Sequence, residues 1–283
     1  MIYLITGATG NIGSMVVDRL LASGARPRIF VRDPGKAQMR FGDRVDIAVG
    51  DLMDATSLAA ALRGISRLFL VNTGGELPQR DAMAASLARA AGVERLVKLS
   101  TMDVQQQNIG TGVWHARGEA AIRGSGVGFT FVQPAGFMAN ALAWAPAIKS
   151  TGIVCCATGD GRIAFIHPQD IADVATVALT GSGYEGASLP ITGPEALSCA
   201  QMVTRIGAVI GRPLAFQPIC EQEERLRWGA RGELPESIDY HLSIFRAIRA
   251  GRLATVTDNV ERILGRQPIG FDQWARENAS AFR

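Results

Sequence analysis

Short apolar runs alternate with amphipathic stretches along the first half of the chain. Ile2–Ile5, Arg28–Val31, Asp46–Val49, Leu68–Val71, Arg95–Leu99 and Gly128–Val132 read as strands. Between them, Asn11–Ala22, Ala55–Leu62, Pro78–Ala91 and Trp114–Arg123 read as helices. This alternation predicts an α/β fold, with a doubly wound parallel sheet and right-handed helical crossovers. Parallel strands are covered on both faces, so they read as unbroken apolar runs, and Leu68-Phe-Leu-Val71 does.

The pattern changes after Pro134. Gly152–Ala157 and Arg162–Ile166 read as two strands of a hairpin around Gly159-Asp-Gly161. A helix should start near Pro168, with Asp170 and Asp173 in its early turns. Leu189–Thr192 and Leu214–Gln217 are further strands, and Ser198 caps a helix reaching about Ile210. Glu221–Gly229, Ser237–Ala250, Val256–Leu264 and Phe271–Phe282 look helical. The division expected is a dinucleotide-binding domain over 1–133, its sheet completed by parts of 151–192. A smaller mixed α/β C-terminal region over 134–283 should bind substrate.

Thr6-Gly7-Ala8-Thr9-Gly10-Asn11-Ile12-Gly13 joins the first strand to the first helix. A diphosphate needs backbone N–H donors and no Cβ in the way. Gly7 permits the tight turn, Gly10 lets the phosphate approach, and Gly13 lets helix pack on strand. Strand, three glycines and helix in this order make the fold Rossmann-type. A glycine turn serving only packing is the competing reading.

The end of the second strand bears on the cofactor. NAD binders place an acid there for the ribose hydroxyls. Here Arg32 stands at that point, and a guanidinium suits a 2′-phosphate. Lys36 adds charge. NADPH is therefore expected, with NADH still open because Asp33 lies one residue further on. Asp51 and Leu52 follow strand three, and Asn72, Thr73 and Gly74 follow strand four. These strand ends should also line the cofactor, or else are plain strand-to-helix turns.

Composition narrows the field further. The net charge is only +3, the basic residues are scattered and aromatics make up 6%, so a nucleic-acid partner is not expected. The four cysteines form no CxxC pair and the three histidines are badly spaced for a metal, so none is expected. The N-terminal run lacks a charged n-region and no 18-residue apolar stretch exists. A cytoplasmic protein without membrane contact is the expectation.

Together these motifs resemble the extended and atypical short-chain dehydrogenase/reductases, specifically the NmrA-like branch. The resemblance covers nearly the whole chain. It takes in the glycine turn, Val31–Lys36, Gly50-Asp51, Ser100 and Phe129–Pro134. It continues through Phe165–Asp173, Leu189–Pro194 and Trp274–Asn278. The resemblance implies cofactor contacts at Ser100, Pro134, Gly136 and Phe137. Catalytic members carry Tyr-x3-Lys, often followed by x3-Glu, on the helix after strand five. In the register set by Ser125-Gly126, Glu119 matches the glutamate, His115 the lysine and Thr111 the tyrosine. The usual proton donor is therefore missing.

Flavin-free quinone, azo-dye and triphenylmethane-dye reductases of this branch share a His-x3-Glu, to which His115-Ala-Arg-Gly-Glu119 is similar. The resemblance implies hydride transfer without flavin to an aromatic, electron-poor acceptor. His115 either orients the nicotinamide ribose or relays a proton, or else is a packed helix histidine. His167 should hydrogen-bond locally at a helix start, and His241 should lie at the surface. Met138, Asn140 and Trp144 are candidates for the substrate wall, with Trp228 and Tyr240 capping it; the competing reading is ordinary core. A homodimer through Pro78–Ala91 is conceivable. The alternative to an enzyme is a non-catalytic NAD(P)-binding regulator, which the missing Tyr and Lys fit equally well.

Overall fold

Four- and five-residue apolar strands are the frame on which the rest is hung. The computed structural model describes residues 1–106 and 109–283. The chain first lays down β1 (Tyr3–Thr6), α1 (Asn11–Ala22), β2 (Arg28–Val31), α2 (Pro34–Phe41), β3 (Asp46–Val49) and α3 (Ala55–Ala61). There follow β4 (Arg67–Leu70), α4 (Leu77–Ala90), β5 (Arg95–Leu99), α5 (Gly112–Gly124) and β6 (Phe129–Pro134). Next come α6 (Ala145–Ser150), β7 (Ile153–Cys156), β8 (Arg162–Ile163), α7 (Pro168–Thr180) and β9 (Ser188–Ile191). The remainder is β10 (Leu197–Ser198), α8 (Cys199–Ile210), β11 (Ala215–Pro218), α9 (Glu221–Gly229), α10 (Pro235–Arg249), α11 (Asn259–Leu264), α12 (Phe271–Glu277) and α13 (Ala279–Phe282).

These elements form two compact units. The first comprises 1–104, 114–134 and 168–190; the second comprises 105–113, 135–167 and 191–283.

The first unit is built on a seven-stranded sheet of order β3-β2-β1-β4-β5-β6-β9. The pairings from β3 to β6 are all parallel. The last strand runs the same way, since Phe131 N–H donates to Ala187 O and Ala135 N–H to Ile191 O. Chain order reverses between β1 and β4, which is where open sheets of this kind bind ligands at their carboxyl ends. The helices bury apolar stripes as the periodicity requires: Ile12, Val16, Val17 and Leu20 of α1 are inaccessible or nearly so. At the opposite sheet edge, Arg67 donates to the carbonyls of Leu179 and Gly181, and Arg95 to those of Ala178 and Gly181. The two guanidiniums thus satisfy the C-terminal carbonyls of α7, where a helix favours cations.

Several elements depart from the sequence reading, α6 and β10 among those it did not expect. Helix α2 is extra: Asp33 caps it by accepting from Gly35 N–H and Lys36 N–H, and Pro34 occupies its first turn. The expected hairpin is absent. β7 pairs in parallel with β11, and β8 pairs antiparallel with β10. The glycine that suggested a hairpin has another use, because a Cβ on Gly161 would collide with the Ile248 carbonyl of α10. Two expected helices also shift: Val256–Leu264 shortens to α11, and Phe271–Phe282 divides into α12 and α13.

The second unit packs around Trp274, Phe271, Phe282, Val203 and Ile206. Its helix α8 opens with a full capping box: Ser198 Oγ accepts from Gln201 N–H, and Gln201 Oε1 accepts from Ser198 N–H. A Ser198→Ala variant should lose about 1 kcal/mol of stability. In urea unfolding the midpoint should fall with the slope unchanged. A midpoint equal to that of the native protein would remove the cap from the account.

Candidate active site

The glycine turn has the shape a diphosphate requires. Gly7 has φ +60°, and a Cβ there would lie 2.9 Å from Val71 Cβ, inside van der Waals contact. A Cβ on Gly13 would collide with the Gly7 carbonyl. Gly10 stands at the N-cap of α1 in extended conformation, and no side chain caps the helix. No acid lies in its first turn either. The leading amides of α1 thus face outward without a side-chain acceptor, a ready cradle for an anion. Thr9 and Asn11 are exposed beside it, and Ile12 and Gly13 are buried. Thr6 is different: its Oγ1 donates to Val71 O at 3.0 Å and accepts from Val71 N–H at 2.7 Å, so it ties β1 to the end of β4.

At the end of β2, Asp33 opens α2. The Asp33 carboxylate is committed to the helix cap, with Lys36 Nζ 3.9 Å away. Arg32 is exposed and its guanidinium makes no hydrogen bond or ion pair among the described residues. Asp51 accepts from Met53 N–H at 2.8 Å, and Leu52 packs on the core of the first unit. Thr73 and Gly74 are exposed, Gly74 with φ +92°. Asn72 is buried. Its Nδ2 donates to Leu77 O at 3.0 Å and to Asp81 Oδ1 at 3.2 Å.

Beneath the carboxyl ends of β4, β5 and β6 lies a buried polar layer. Glu119 of α5 accepts from Ser100 Oγ at 2.6 Å and from Gln133 Nε2 at 2.8 Å, while its other oxygen faces Arg123 at 3.2 Å. The Ser100 hydroxyl is therefore committed to Glu119. One turn earlier on α5, His115 is buried and its Nδ1 has no partner among the described residues. Burial, and secondarily the Lys98 charge, pushes its pKa down to about 3. The ring is therefore neutral near pH 7.

The sequence reading missed the ion pair in this layer. Lys98 Nζ of β5 lies 2.6 Å from Asp81 Oδ2 of α4, and both side chains are wholly inaccessible. Burial pulls Lys98 below the ordinary ammonium range, with Asp81 opposing. The available signal was a lysine inside the wholly buried strand Arg-Leu-Val-Lys-Leu. Asp103, just beyond β5, was also missed: burial raises its carboxyl to about 6 against a hydrogen bond from Thr101.

Pro134 ends β6 and is buried. In the second unit, Gly136 O accepts from Ile166 N–H, and Ile166 O from Met138 N–H, which threads Gly136–Met138 beside Ile166. A Cβ on Gly136 would lie 2.8 Å from Ile163 Cδ1, so this glycine serves close packing. Phe137 and Trp144 are half-buried and Asn140 is exposed. Met138 is 1% exposed in the core around Trp274; it is core and not wall, because its neighbours leave it no free face. Trp228 and Tyr240 flank His241, with ring centroids 5.2 and 4.8 Å away. His241 is thus half-buried between aromatic rings, not the surface residue expected. His167 Nε2 meets Glu277 Oε2 of α12 at 3.0 Å.

A glycine turn into an uncapped helix, at the switch point of a doubly wound sheet, defines a dinucleotide-binding protein. The chain belongs to the NAD(P)H-binding family, whose profile matches residues 7–181. It is 38% identical over 281 residues to a (4-alkanoyl-5-oxo-2,5-dihydrofuran-3-yl)methyl phosphate reductase of Streptomyces griseus, covering 99% of this chain and 98% of the relative. It is 35% identical over 285 residues to an NAD(P)H azoreductase of Xenophilus azovorans, covering 99% and 98%. Its fold matches an NADPH-dependent quinone oxidoreductase of Escherichia coli solved with NADPH, at TM-score 0.90 and 24% identity over 98% of this chain and 99% of the other. The protein is an NAD(P)H-dependent reductase of the atypical short-chain dehydrogenase/reductase type. Among the described residues, no helix is long and apolar enough to cross a membrane.

The depressed pKa of His115 has a stability consequence. In the unfolded chain the ring titrates near ~6.5. Between that value and about 3 the unfolded chain binds a proton that the folded one does not. The contribution is full above ~6.5 and is lost as pH falls toward the folded value, at about 1.4 kcal/mol per pH unit. Denaturant unfolding from pH 7 to pH 4 should show a shallower pH slope for His115→Leu than for the native protein. Equal slopes would mean that His115 titrates normally.

Proposed function

We propose that this protein is a flavin-free reductase that uses NADPH to reduce an electron-poor, conjugated aromatic acceptor such as an azo compound or a quinone. The observation that carries this reading is His115, buried and neutral at the position where catalytic relatives hold a lysine. Thr111 stands at the tyrosine position. Reduction of a simple ketone leaves a localised alkoxide that needs a positioned acid. Neither a threonine hydroxyl nor a neutral imidazole is such an acid. An acceptor that spreads the incoming charge over a conjugated system needs much less help.

In this reading the amides of Asn11, Ile12 and Gly13 hold the diphosphate, with Gly7 and Gly10 keeping the approach clear. Arg32 and Lys36 hold the 2′-phosphate, since the neighbouring acid is occupied with its helix cap. NADPH, when bound, supplies the hydride directly to the acceptor. Asp51, Leu52, Asn72, Thr73, Gly74, Ser100, Pro134, Gly136 and Phe137 complete the cofactor contacts. Asn140, Trp144, Trp228 and Tyr240 supply the acceptor's surroundings. His115 and Glu119 orient, Glu119 by gathering Ser100 and Gln133 onto one oxygen. The chain's contribution to rate is proximity and orientation. The names of its relatives agree with this chemistry: one acts on an azo group, and another on a ring alkene conjugated with two carbonyls.

The test is purified protein with NADPH and a panel of quinones, azo dyes and alkanoyl dihydrofuranones, followed at the cofactor band. Turnover by a colourless preparation, free of flavin absorbance, is expected. Oxidation of NADPH by no member of the panel, or a requirement for added flavin, would overturn the proposal. Arg32→Ala should weaken NADPH binding about tenfold or more while sparing NADH, as loss of a charge-assisted contact requires. Titration calorimetry with both cofactors checks it, and equal losses for the two would take Arg32 out of the site.

A further inference from the structure

Three elements of the first unit converge on Asp81 of α4. Its Oδ1 accepts from Asn72 Nδ2 at 3.2 Å, at the carboxyl end of β4. Its Oδ2 faces Lys98 Nζ of β5 at 2.6 Å. From α5, Gly118 supplies the space, because a Cβ there would overlap Asp81 Oδ2. Stability does not explain this arrangement. A wholly buried ion pair is commonly matched or bettered by apolar side chains of the same volume. What the arrangement fixes is an amide. Both Asn72 Nδ2 hydrogens have acceptors, Leu77 O and Asp81 Oδ1, so the side chain cannot flip. Its Oδ1 is left buried and has no partner among the described residues. Such an orphaned acceptor is costly unless something donates to it. It stands at the end of β4, beside the point where the strand order reverses.

We propose that the Lys98–Asp81 ion pair is a positioning device for the cofactor. It locks Asn72 so that Oδ1 is presented as a fixed acceptor to a hydroxyl or N–H donor of the bound dinucleotide. Phosphates carry no such donor at neutral pH, so the partner is a sugar hydroxyl or an amide N–H. The inference rests on the dinucleotide reading of this site. Lys98 and Asp81 touch neither cofactor nor acceptor in it; they act through Asn72.

The test is NADPH binding by calorimetry, which does not depend on turnover. In Lys98→Met/Asp81→Leu both charges leave together and the volume stays similar, so no buried charge is stranded. This variant should bind NADPH about tenfold or more weakly, as should Asn72→Ala alone. Adding Asn72→Ala to the double variant should cost little more, because the amide is already unlocked. Gly118→Ala keeps both charges but displaces Asp81. It should weaken binding in the same direction, and it serves as the readout if the double variant does not fold. A folded double variant that binds NADPH like the native protein overturns the proposal. So does an Asn72→Ala effect of equal size in both backgrounds, or a folded Gly118→Ala with native affinity. If the native protein itself fails to retain NADPH, the functional reading fails instead, and the two failures are thereby distinguished.

Discussion

The outward-facing amides at the start of α1 are the constraint around which the first unit is arranged. A helix that begins without a side-chain cap and without an acid in its first turn forgoes stabilisation that a serine or aspartate at Gly10 would supply. The surrounding turn admits no relaxation of that choice. Gly7 is pressed against Val71, Gly13 against the Gly7 carbonyl, and Thr6 is bonded twice to Val71. Side chains at these points would either collide or push α1 off the sheet. The local cost is intelligible only if an anion completes the cap, as membership of an NAD(P)H-binding family implies.

The same sheet edge carries a second departure from what stability alone would choose. Catalytic relatives in the resemblance place a lysine on the helix after strand five. Here that helix position is His115, and a lysine is buried one layer below, on β5, paired with Asp81. A cation is thus still close to His115, carried by the sheet. From there it discourages protonation of His115 and steadies, through Asp81, the end of β4. Ser100, Gln133 and Glu119 form the other half of the layer, with Ser100 Oγ and Gln133 Nε2 donating to one Glu119 oxygen at 2.6 and 2.8 Å.

Much of this was legible in the residues. The strands and the long helices of the first half follow from apolar runs and 3.6-residue periodicity, and the glycine turn from its spacing. The hairpin failed because Gly159-Asp-Gly161 carries the same letters whether a turn joins paired strands or lets α10 approach. Helix α2 was hidden because Asp33 reads equally as a ribose ligand and as a cap. The ion pair was hidden for a different reason: Asp81 and Lys98 lie on separate elements, and no local pattern joins them. His167 and Glu277 are further apart still, 110 positions along the chain. Local rules find turns, caps and stripes; they do not find partners that only the fold brings together.

The chemistry of the site follows from what its groups can and cannot exchange. A neutral imidazole near pKa 3 gives no proton at pH 7. A hydroxyl and an amide already bonded to Glu119 have little freedom to follow a moving charge. Such a site holds geometry well and moves protons poorly. In the function proposed, this suits reactions whose barrier lies in bringing two π systems face to face, and whose product charge is dispersed over many atoms. Where a single oxygen must accept the charge, the same site would be slow, however tightly it bound the reactants.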